Sequence, residues 1–323
     1  MSTKPRIVVG RRLPDRVEAE LRARFEPLFN PDDRVLAPDE LVARAHAHQA
    51  DGLLVTLTDR LPANAIAALP ASVRVIATYS VGFNHIDVKA ARARGIVVAY
   101  CPEATTTATA DLAMLLLLSA CRRLTAFERE LRQGRWGAWT ACKDLGTDPG
   151  GKVLGIVGMG RIGQAVAARA RAFGMTVAYH QRRRLQPETE GNAVFHPTLQ
   201  GLFRACQMVS LHAPATPETR HLINRQSLSW LPRGAIMVNT ARGDLVDDDA
   251  LVEALSDGRL GAAGLDVFAG EPNFDKRYLD LPNVTLLPHI GTSTTETRER
   301  MGADTIANLS AVFDGHPPPW PVP

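Results

Sequence analysis

The sequence predicts an α/β protein with two domains, each built on a parallel sheet that carries helices on both faces. Three observations lead to this fold class. The chain has 323 residues, more than one hydrophobic core usually supports. In both halves, short aliphatic and β-branched runs alternate with amphipathic stretches, which is typical of βαβ units. Near the middle, a glycine-rich segment directly follows an apolar run, as at a tight turn from a strand into a helix.

The first hundred residues contain four apolar runs that are predicted to be buried strands. These runs cover residues 6–9, 52–55, 74–78 and 95–98. Amphipathic stretches at 15–25 and 38–46 lie between them and have Pro or Asp near their starts, so they are predicted to be helices. Alternation of this kind indicates a parallel sheet.

A long helical pattern covers residues 104–133. It opens with threonines and is apolar all round near residues 115–118, so we expect its middle to be buried on every side. Two interpretations are open. The segment is a core helix within one chain, or it is a helix shared with a second subunit, since a helix that joins two domains must also be covered.

A second series of strands and helices runs from residue 152 to residue 289. Its predicted strands are 153–157, 176–179, 208–211, 235–239, 262–267 and 284–287, and its predicted helices are 162–173, 198–205 and 248–255. A last helix is predicted at Thr295–Phe313, ahead of a proline-rich tail.

Composition and charge argue against several other classes of protein. Hydrophobic residues make up 45% of the chain, and a net charge of +3 is too small to indicate nucleic-acid or membrane binding. The four cysteines have neither CxxC nor metal-ligand spacing, so no metal site and no disulfide framework are expected. The N-terminus lacks a signal-peptide pattern, and the longest uncharged apolar stretch, 112–121, is about half a membrane span. A soluble, cytoplasmic protein is expected.

The glycine-rich segment has the spacing of a dinucleotide fingerprint. Gly158 allows a tight turn, Gly160 lets the backbone approach a pyrophosphate, and Gly163 allows close packing of helix and strand. The phosphates would then lie on the amides of Arg161 and Ile162, at the start of the helix. The alternative is a plain turn between strand and helix, but the apolar strand before the glycines and the helix after them favour the fingerprint. The second series is therefore predicted to be a Rossmann-type cofactor domain.

The end of the next strand predicts which dinucleotide binds. An NAD site would carry Asp or Glu there, whereas this chain has His180 followed by Arg182, Arg183 and Arg184. Arginine side chains bind a 2′-phosphate that a carboxylate would repel. The sequence thus predicts that NADP(H) is preferred and NAD(H) is possible, with Arg182 and Arg183 as contacts and Arg184 as a third candidate. The alternative is a solvated basic loop.

Three charged residues follow strands of this series and indicate the chemistry. Arg242, Glu271 and His289 come after three successive strands, and loops at the carboxyl ends of strands form the ligand crevice of such sheets. His289 is the predicted general acid, Glu271 would orient it and favour its protonated form, and Arg242 would bind a carboxylate and polarise a carbonyl. Singly, each has a structural alternative: a loop cap, a turn residue and a packed histidine. Together they predict hydride transfer between a nicotinamide and a 2-oxo acid.

Four motifs resemble those of the D-isomer-specific 2-hydroxyacid dehydrogenases, over essentially the whole chain. They are GMGRIG at 158–163, NTARGDLVD at 239–247, GLDVFAGEP at 264–272 and LPHIG at 287–291. The resemblance implies the roles given above for the three charged residues. It also implies that Asp266 holds the nicotinamide carboxamide and that Thr106, Pro214 and Thr240 contact the cofactor.

The same resemblance implies a discontinuous domain organisation. A flavodoxin-like substrate domain would be formed by residues 1–102 together with 292–323. The cofactor domain would be formed by residues 103–291, and the active site would lie in the cleft between the domains. The substrate loop matches residues 80–87, where the amides of Val81 and Gly82 would receive the substrate carboxylate. Leu57 and Thr58 would lie near the substrate's side chain.

Within the family, the arginine-rich strand end resembles NADP-dependent glyoxylate/hydroxypyruvate reductases. The segment GRWGAW at 134–139 is similar to one that passes a tryptophan to the neighbouring subunit, which implies a homodimer with Trp139 in the partner's pocket; a packed surface tryptophan is the alternative. Tyr100 departs from the family, which often has Asn there. Two other functions are open: a reductase of pyruvate or bulkier 2-oxo acids, and a dinucleotide-sensing corepressor, which would need neither the three charged residues nor a substrate loop.

Overall fold

The structure is a computed structural model that describes residues 4–143 and 145–323. In chain order its strands are β1 (Arg6–Val9), β2 (Glu26–Leu28), β3 (Gly52–Val55), β4 (Val75–Thr78), β5 (Val97–Ala99), β6 (Val153–Val157), β7 (Thr176–His180), β8 (Val194–Phe195), β9 (Met208–Leu211), β10 (Ala235–Asn239), β11 (Leu260–Leu265) and β12 (Val284–Leu286). Its α-helices are α1 (Asp15–Arg24), α2 (Pro38–Ala47), α3 (Ala63–Ala68), α4 (Val88–Ala93), α5 (Thr106–Arg122), α6 (Leu124–Arg132), α7 (Arg161–Ala172), α8 (Pro187–Glu190), α9 (Leu199–Ala205), α10 (Arg225–Ser229), α11 (Asp248–Ser256) and α12 (Thr295–Phe313). Short 3₁₀ turns cover Gly243–Leu245 and Lys276–Asp280.

These elements divide into two units. Unit 1 contains the described residues up to Thr105 together with Thr292–Pro323, and unit 2 contains Thr106–Gly291. Each unit is built on a parallel sheet, which confirms the predicted fold class. Among residues 4–143 and 145–323, no helix combines the length and the apolar character that crossing a bilayer requires.

Unit 1 has a five-stranded sheet in the order β2-β1-β3-β4-β5. This is the flavodoxin-like order. Successive residues of β1 point to opposite faces, as the strand period requires. Ile7 and Val9 pack with residues of α1 and α12, whereas Val8 packs with residues of α2 and α3. Helix α12 therefore completes the core of unit 1, because its buried side chains cover one face of this sheet.

Unit 2 has a seven-stranded sheet in the order β12-β11-β10-β9-β6-β7-β8. Counted from β6, this is the Rossmann order. The first connections run from β6 through β7 to β8, and the chain then crosses back to β9 on the other side of β6. Dinucleotides bind where the strand order reverses, outside the carboxyl ends of the strands, so the fold places a candidate site at the ends of β6 and β9.

The predicted helix over residues 104–133 is interrupted, and its middle is not buried on every side. Arg123 adopts a left-handed conformation with φ 51° and separates α5 from α6. One side of α5 packs on the sheet of unit 2 through Ala113, Leu116 and Leu117. Leu115 on the other side is 51% exposed, so the expectation of complete burial was wrong.

Candidate active site

The glycine turn between β6 and α7 has the geometry that the fingerprint predicts. Gly158 has φ 93°, and a Cβ there would lie 2.8 Å from the amide nitrogen of Ala213. A Cβ on Gly163 would lie 2.3 Å from the carbonyl oxygen of Gly158. A Cβ on Gly160 would meet nothing within 4 Å, so open space adjoins the backbone at the residue before α7. Two glycines are required by close packing, and the third borders open space, as the approach of a pyrophosphate to the backbone would require. The amides of Arg161 and Ile162 begin α7 beside this space.

Two predicted cofactor contacts carry buried hydroxyl groups without partners. The Oγ1 atoms of Thr106 and Thr240 are buried and make no hydrogen bond to the part of the chain that the structure describes. Such groups are uncommon in native proteins and indicate a missing partner. Thr240 directly follows β10, at the same edge of the sheet as the glycine turn. A polar ligand at this edge would give the Thr240 hydroxyl its missing partner, so this residue fits a dinucleotide site, and the Thr106 hydroxyl, at the start of α5, is a second buried group that needs a partner. Pro214 lies in the loop after β9, where its carbonyl accepts a hydrogen bond from Thr219.

The basic segment after β7 offers its arginines in two different ways. The Nδ1 of His180 donates to the carbonyl of His196 at 2.9 Å. Arg182 and Arg183 are exposed, and within residues 4–143 and 145–323 their guanidinium groups make no hydrogen bond. Arg184, the third candidate, instead binds Glu190 through two of its nitrogens. Two of the three cations are thus available at the end of β7.

The structure brings Glu271 and His289 together. The Nδ1 of His289 lies 2.7 Å from Oε2 of Glu271, and the amide of Phe268 donates to the other carboxylate oxygen, also at 2.7 Å. Burial pushes the pKa of Glu271 upward, but the bonds from His289 and Phe268 and the charge of Arg242 together hold that pKa below its ordinary value. The carboxyl therefore stays ionised near neutral pH. An ionised Glu271 accepts, so Nδ1 of His289 carries a proton and Nε2 is the nitrogen left for a substrate.

Arg242 lies within electrostatic reach of this pair. Burial lowers the pKa of Arg242, and the charge of Glu271 opposes that effect. Its Nη1 donates to the carbonyl of the neighbouring Ala241 at 2.6 Å. Even with a lowered pKa, an arginine remains a cation at working pH. The partly buried guanidinium thus supplies a permanent positive charge within electrostatic reach of the Glu271 carboxylate.

Buried Asn239 shapes the turn that carries Arg242, a role that the sequence analysis missed. Its Nδ2 donates to the carbonyl of Arg242 at 2.9 Å, and its Oδ1 accepts from the amide of Ala241 at 3.0 Å. Gly243 is equally constrained, because a Cβ there would lie 1.9 Å from the carbonyl carbon of Phe268. The loops after β10 and β11 are therefore in direct contact. A buried polar residue that ends an apolar run was the available signal for Asn239.

Asp266 fixes the turn that carries His289. This carboxylate is buried and accepts from the amides of Ile290 at 2.7 Å and Gly291 at 2.9 Å, while its own carbonyl accepts from the amide of His289 at 2.8 Å. His289 has φ 55°, a left-handed conformation that needs such support in a non-glycine residue. Burial raises the pKa of Asp266 to about 6, against the effect of these amides. Asp266 is thus a positioning residue for His289, which the sequence analysis did not foresee.

The predicted substrate contacts of unit 1 lie at the carboxyl ends of its neighbouring strands β3 and β4. After β4, the hydroxyl of Ser80 donates to the carbonyl of Gly82 at 2.6 Å, which closes a tight turn around Val81. After β3, Leu57 is exposed, and the hydroxyl of Thr58 accepts from Nη1 of Arg11 at 2.8 Å. The turn and the loop thus form one edge of unit 1. In unit 2, Trp139 follows α6 and is 87% exposed.

The chain is similar over most of its length to proteins of known activity. A sequence profile of the NAD-binding domain of D-isomer specific 2-hydroxyacid dehydrogenases matches residues 114–291. The chain is 42% identical over 315 residues to the glycerate dehydrogenase of Hyphomicrobium methylovorum, an alignment that covers 97% of both chains. It is 41% identical to the glyoxylate reductase of Korarchaeum cryptofilum, covering 98% of this chain and 95% of that one. The crystal structure of the NADPH-dependent glyoxylate/hydroxypyruvate reductase of Sinorhizobium meliloti, in complex with NADP and malonate, superposes with a TM-score of 0.86 at 35% identity, covering 99% of this chain and 97% of that one.

Proposed function

Since this chain belongs to the D-isomer-specific 2-hydroxyacid dehydrogenase family, we propose that it reduces glyoxylate or hydroxypyruvate to the 2-hydroxy acid with NADPH. Membership makes the chain an oxidoreductase that acts on small 2-hydroxy and 2-oxo acids. The observation that carries the proposed reduction is the 2.7 Å bond between His289 and Glu271, in the unit that holds the dinucleotide fingerprint. The charge of Arg242 acts on the same carboxylate.

The three side chains divide the chemistry among them. The reduced nicotinamide supplies a hydride to the carbonyl carbon when it is bound. The Nε2 of protonated His289 gives a proton to the carbonyl oxygen, which becomes the hydroxyl of the product. Glu271 fixes the orientation and tautomer of the ring, because its ionised carboxylate accepts from Nδ1. Arg242 binds the substrate carboxylate and stabilises the negative charge that develops on the oxygen.

Preference for NADPH is supported by the end of β7. His180 stands where an NAD-binding domain has an acid. Arg182 and Arg183 follow it, and their exposed guanidinium groups make no hydrogen bond to the described residues. The similarity to the NADPH-dependent enzyme of Sinorhizobium meliloti points the same way. We assign Arg182 and Arg183 to the 2′-phosphate, and Thr106, Thr240, Pro214 and Asp266 to the remainder of the cofactor.

The small size of the substrate is supported by the relatives and by unit 1. Glycerate, named in one relative, is the 2-hydroxy acid that corresponds to hydroxypyruvate. We assign the amides of Val81 and Gly82 to the substrate carboxylate, since the Ser80 bond fixes their turn. Leu57 would then limit the length of the substrate's side chain.

We further propose that the enzyme is a homodimer. Large apolar side chains are exposed on α5, on α6 and in the segment that follows them, at Leu115, Leu124, Leu131, Trp136 and Trp139. Large exposed apolar side chains concentrated in one stretch of a chain favour an interface between proteins. Sedimentation velocity would test it: a dimer is expected, and a monomer at micromolar concentration would contradict it. Trp139→Ala should weaken substrate binding if this residue enters the partner's pocket.

A substrate panel tests the activity directly. Initial rates of NADPH and NADH oxidation are measured with glyoxylate, hydroxypyruvate, pyruvate, 2-oxobutyrate and phenylpyruvate. We expect the highest kcat/KM with NADPH and one of the first two acids. Equal or better efficiency with NADH would overturn the cofactor assignment. A preference for a bulkier acid would overturn the substrate assignment. Oxidation with none of them would favour a cofactor-sensing protein instead.

Two variants separate catalysis from binding. His289→Asn should keep the Kd for NADPH and lower kcat by about 100-fold or more, the usual contribution of a general acid. Arg242→Ala should lower kcat/KM because it removes about 3 kcal/mol of transition-state stabilisation, the usual effect of losing one such donor from a water-excluded active site. Unchanged turnover of the His289 variant would refute its role.

A further inference from the structure

The three consecutive arginines after β7 are not equivalent in the structure. Arg184 donates from Nε to Oε1 of Glu190 at 3.0 Å and from Nη2 to Oε2 at 2.8 Å. The hydroxyl of Tyr179 donates to the same Oε1 at 2.5 Å. We name these three residues, Tyr179, Arg184 and Glu190, the anchor cluster. The guanidinium groups of Arg182 and Arg183 make no hydrogen bond of this kind to residues 4–143 or 145–323.

The anchor cluster is built around a buried carboxylate. Glu190 is 6% exposed, and Tyr179 is fully buried. Burying a carboxylate is unfavourable unless charged and hydrogen-bonded partners compensate it. Arg184 and then Tyr179 lower the pKa of Glu190, so the group remains an anion that holds both partners. A surface arginine bound only to another surface group would be far less restrained.

The anchor cluster closes the segment after β7 into a loop with both ends fixed. Tyr179 lies within β7, and Glu190 is the last residue of α8. The Tyr179 hydroxyl also accepts from the amide of Leu185 at 3.0 Å. Arg184, one residue before Leu185, is thus held on both its side chain and the adjacent backbone.

A second tie joins this loop to the glycine turn. The amide of Met159 donates to Oε1 of Gln181 at 3.1 Å, and Nε2 of Gln181 donates to the carbonyl of Arg183 at 2.7 Å. Arg182 and Arg183 therefore lie on a short stretch of backbone between Gln181 and Arg184, both of which are held. Their exposed guanidinium groups project from a backbone whose course is set before any ligand binds.

We propose that Glu190 and Tyr179 are positioning residues for recognition of the 2′-phosphate, and that Arg184 serves their cluster rather than the phosphate. This inference rests on the proposed preference for NADPH. A loop that is already ordered loses less conformational entropy on binding, so affinity for the phosphate depends on residues that do not touch it. Affinity for NADH should depend on them little, because NADH carries a neutral 2′-hydroxyl in place of the phosphate that Arg182 and Arg183 would bind.

The experiment compares single and double variants by their KM for NADPH and for NADH. Arg182→Gln is the direct-contact control and should raise the KM for NADPH at least about tenfold, the effect of losing one charge-assisted hydrogen bond, while sparing NADH. Arg184→Gln should raise the KM for NADPH because it leaves Glu190 buried without its cation. Adding Glu190→Gln to Arg184→Gln should then lower the KM for NADPH part of the way back to the wild-type value, since a neutral amide needs no cation. A direct phosphate ligand predicts no such rescue.

Tyr179→Phe is the mildest test, because it keeps the Arg184–Glu190 pair and removes one hydroxyl. We expect a several-fold rise in the KM for NADPH with unchanged kcat and unchanged KM for NADH. An NADPH-to-NADH KM ratio that stays at the wild-type value in this variant and in Glu190→Gln would overturn the positioning role. A loss in Arg184→Gln that Glu190→Gln does not relieve would make Arg184 a phosphate ligand. A wild-type enzyme without NADPH preference would instead refute the proposed cofactor, and this inference with it.

Discussion

Replacing His212 by Gln should remove a defined part of the acid sensitivity of the fold. His212 directly follows β9, and its amide donates to the carbonyl of Val157 at 2.8 Å, so it lies next to the end of β6. Its Nε2 shares a 2.8 Å hydrogen bond with the hydroxyl of Ser210. Burial lowers the pKa of His212 from its ordinary value of 6.5 to about 4. The ring is therefore neutral in the folded protein between about pH 4 and pH 6.5, where an unfolded chain would protonate it.

The size and sign of the effect follow from proton linkage. Between pH 6.5 and about 4 the unfolded chain binds a proton at His212 that the folded protein does not, so the free energy of unfolding falls as the pH falls. Above pH 6.5 the contribution is fully present, and below about pH 4 it is lost. At 1.36 kcal/mol per pKa unit, the difference between the two values corresponds to about 3 kcal/mol.

Urea unfolding of the wild type and of His212→Gln measures this term. All other titrating groups are common to both proteins, so the difference between their free energies of unfolding isolates the histidine. From pH 7 to pH 4, the wild type should lose about 3 kcal/mol more than the variant. Parallel pH dependences in the two proteins would refute the reasoning, because they would mean that the ring is protonated without unfolding.

Three further predictions concern the site. Gly163→Ala should lower the Tm measured by thermal melts by several degrees, because its Cβ would lie 2.3 Å from a backbone carbonyl oxygen. Gly160→Ala has open space at its Cβ, so it should keep the Tm and weaken only the binding of NADPH, measured by titration. Glu271→Gln should lower kcat at least about tenfold with the Kd for NADPH unchanged, since His289 loses its anionic partner; an unaltered kcat would contradict the assigned role. Thr240→Val should leave the Tm of the free enzyme equal or higher, because its hydroxyl has no partner among the described residues, but should weaken cofactor binding by about 3- to 10-fold.

The strands at the centre of unit 2 could be predicted from the sequence to the residue. β6, β9 and β10 have the predicted bounds, because each is a continuous apolar run buried on both faces. The edge strands β2 and β8 were missed. β2 contains only three residues, including Pro27, and is a strand because it pairs with β1 rather than through any pattern of its own. Strand β11 begins and ends two residues earlier than predicted, since its pairing with β10 includes Leu260 and stops at Leu265.

The break in the long helix could not be read from the sequence. Residues on both sides of Arg123 favour a helix, and nothing in the pattern indicates that this arginine adopts φ 51°. Exposure of Leu115 was equally hidden, because a continuous apolar pattern does not tell which of its sides the rest of the chain covers.

The residues that carry the chemistry of the candidate site could be predicted from the sequence more readily than the residues that hold them in position. Charged residues after successive strands indicated Glu271 and His289, and the structure joins them. The support comes from contacts between segments that are distant in sequence: Asp266 binds the amides after His289, and Asn239 binds the turn of Arg242. The arginines after β7 show the same limit, since composition alone could not separate Arg184 from the other two.

Gly243 has a consequence for engineering the enzyme. A Cβ at this position would lie 1.9 Å from the carbonyl carbon of Phe268 and 2.1 Å from the amide nitrogen of Ala269, so no residue with a side chain fits there. Mutant libraries that diversify the surroundings of Arg242 in search of new substrates should keep this position constant. When segments are grafted from a relative, the stretches around 243 and 268 should be transferred together, because the backbone of one packs directly on the backbone of the other.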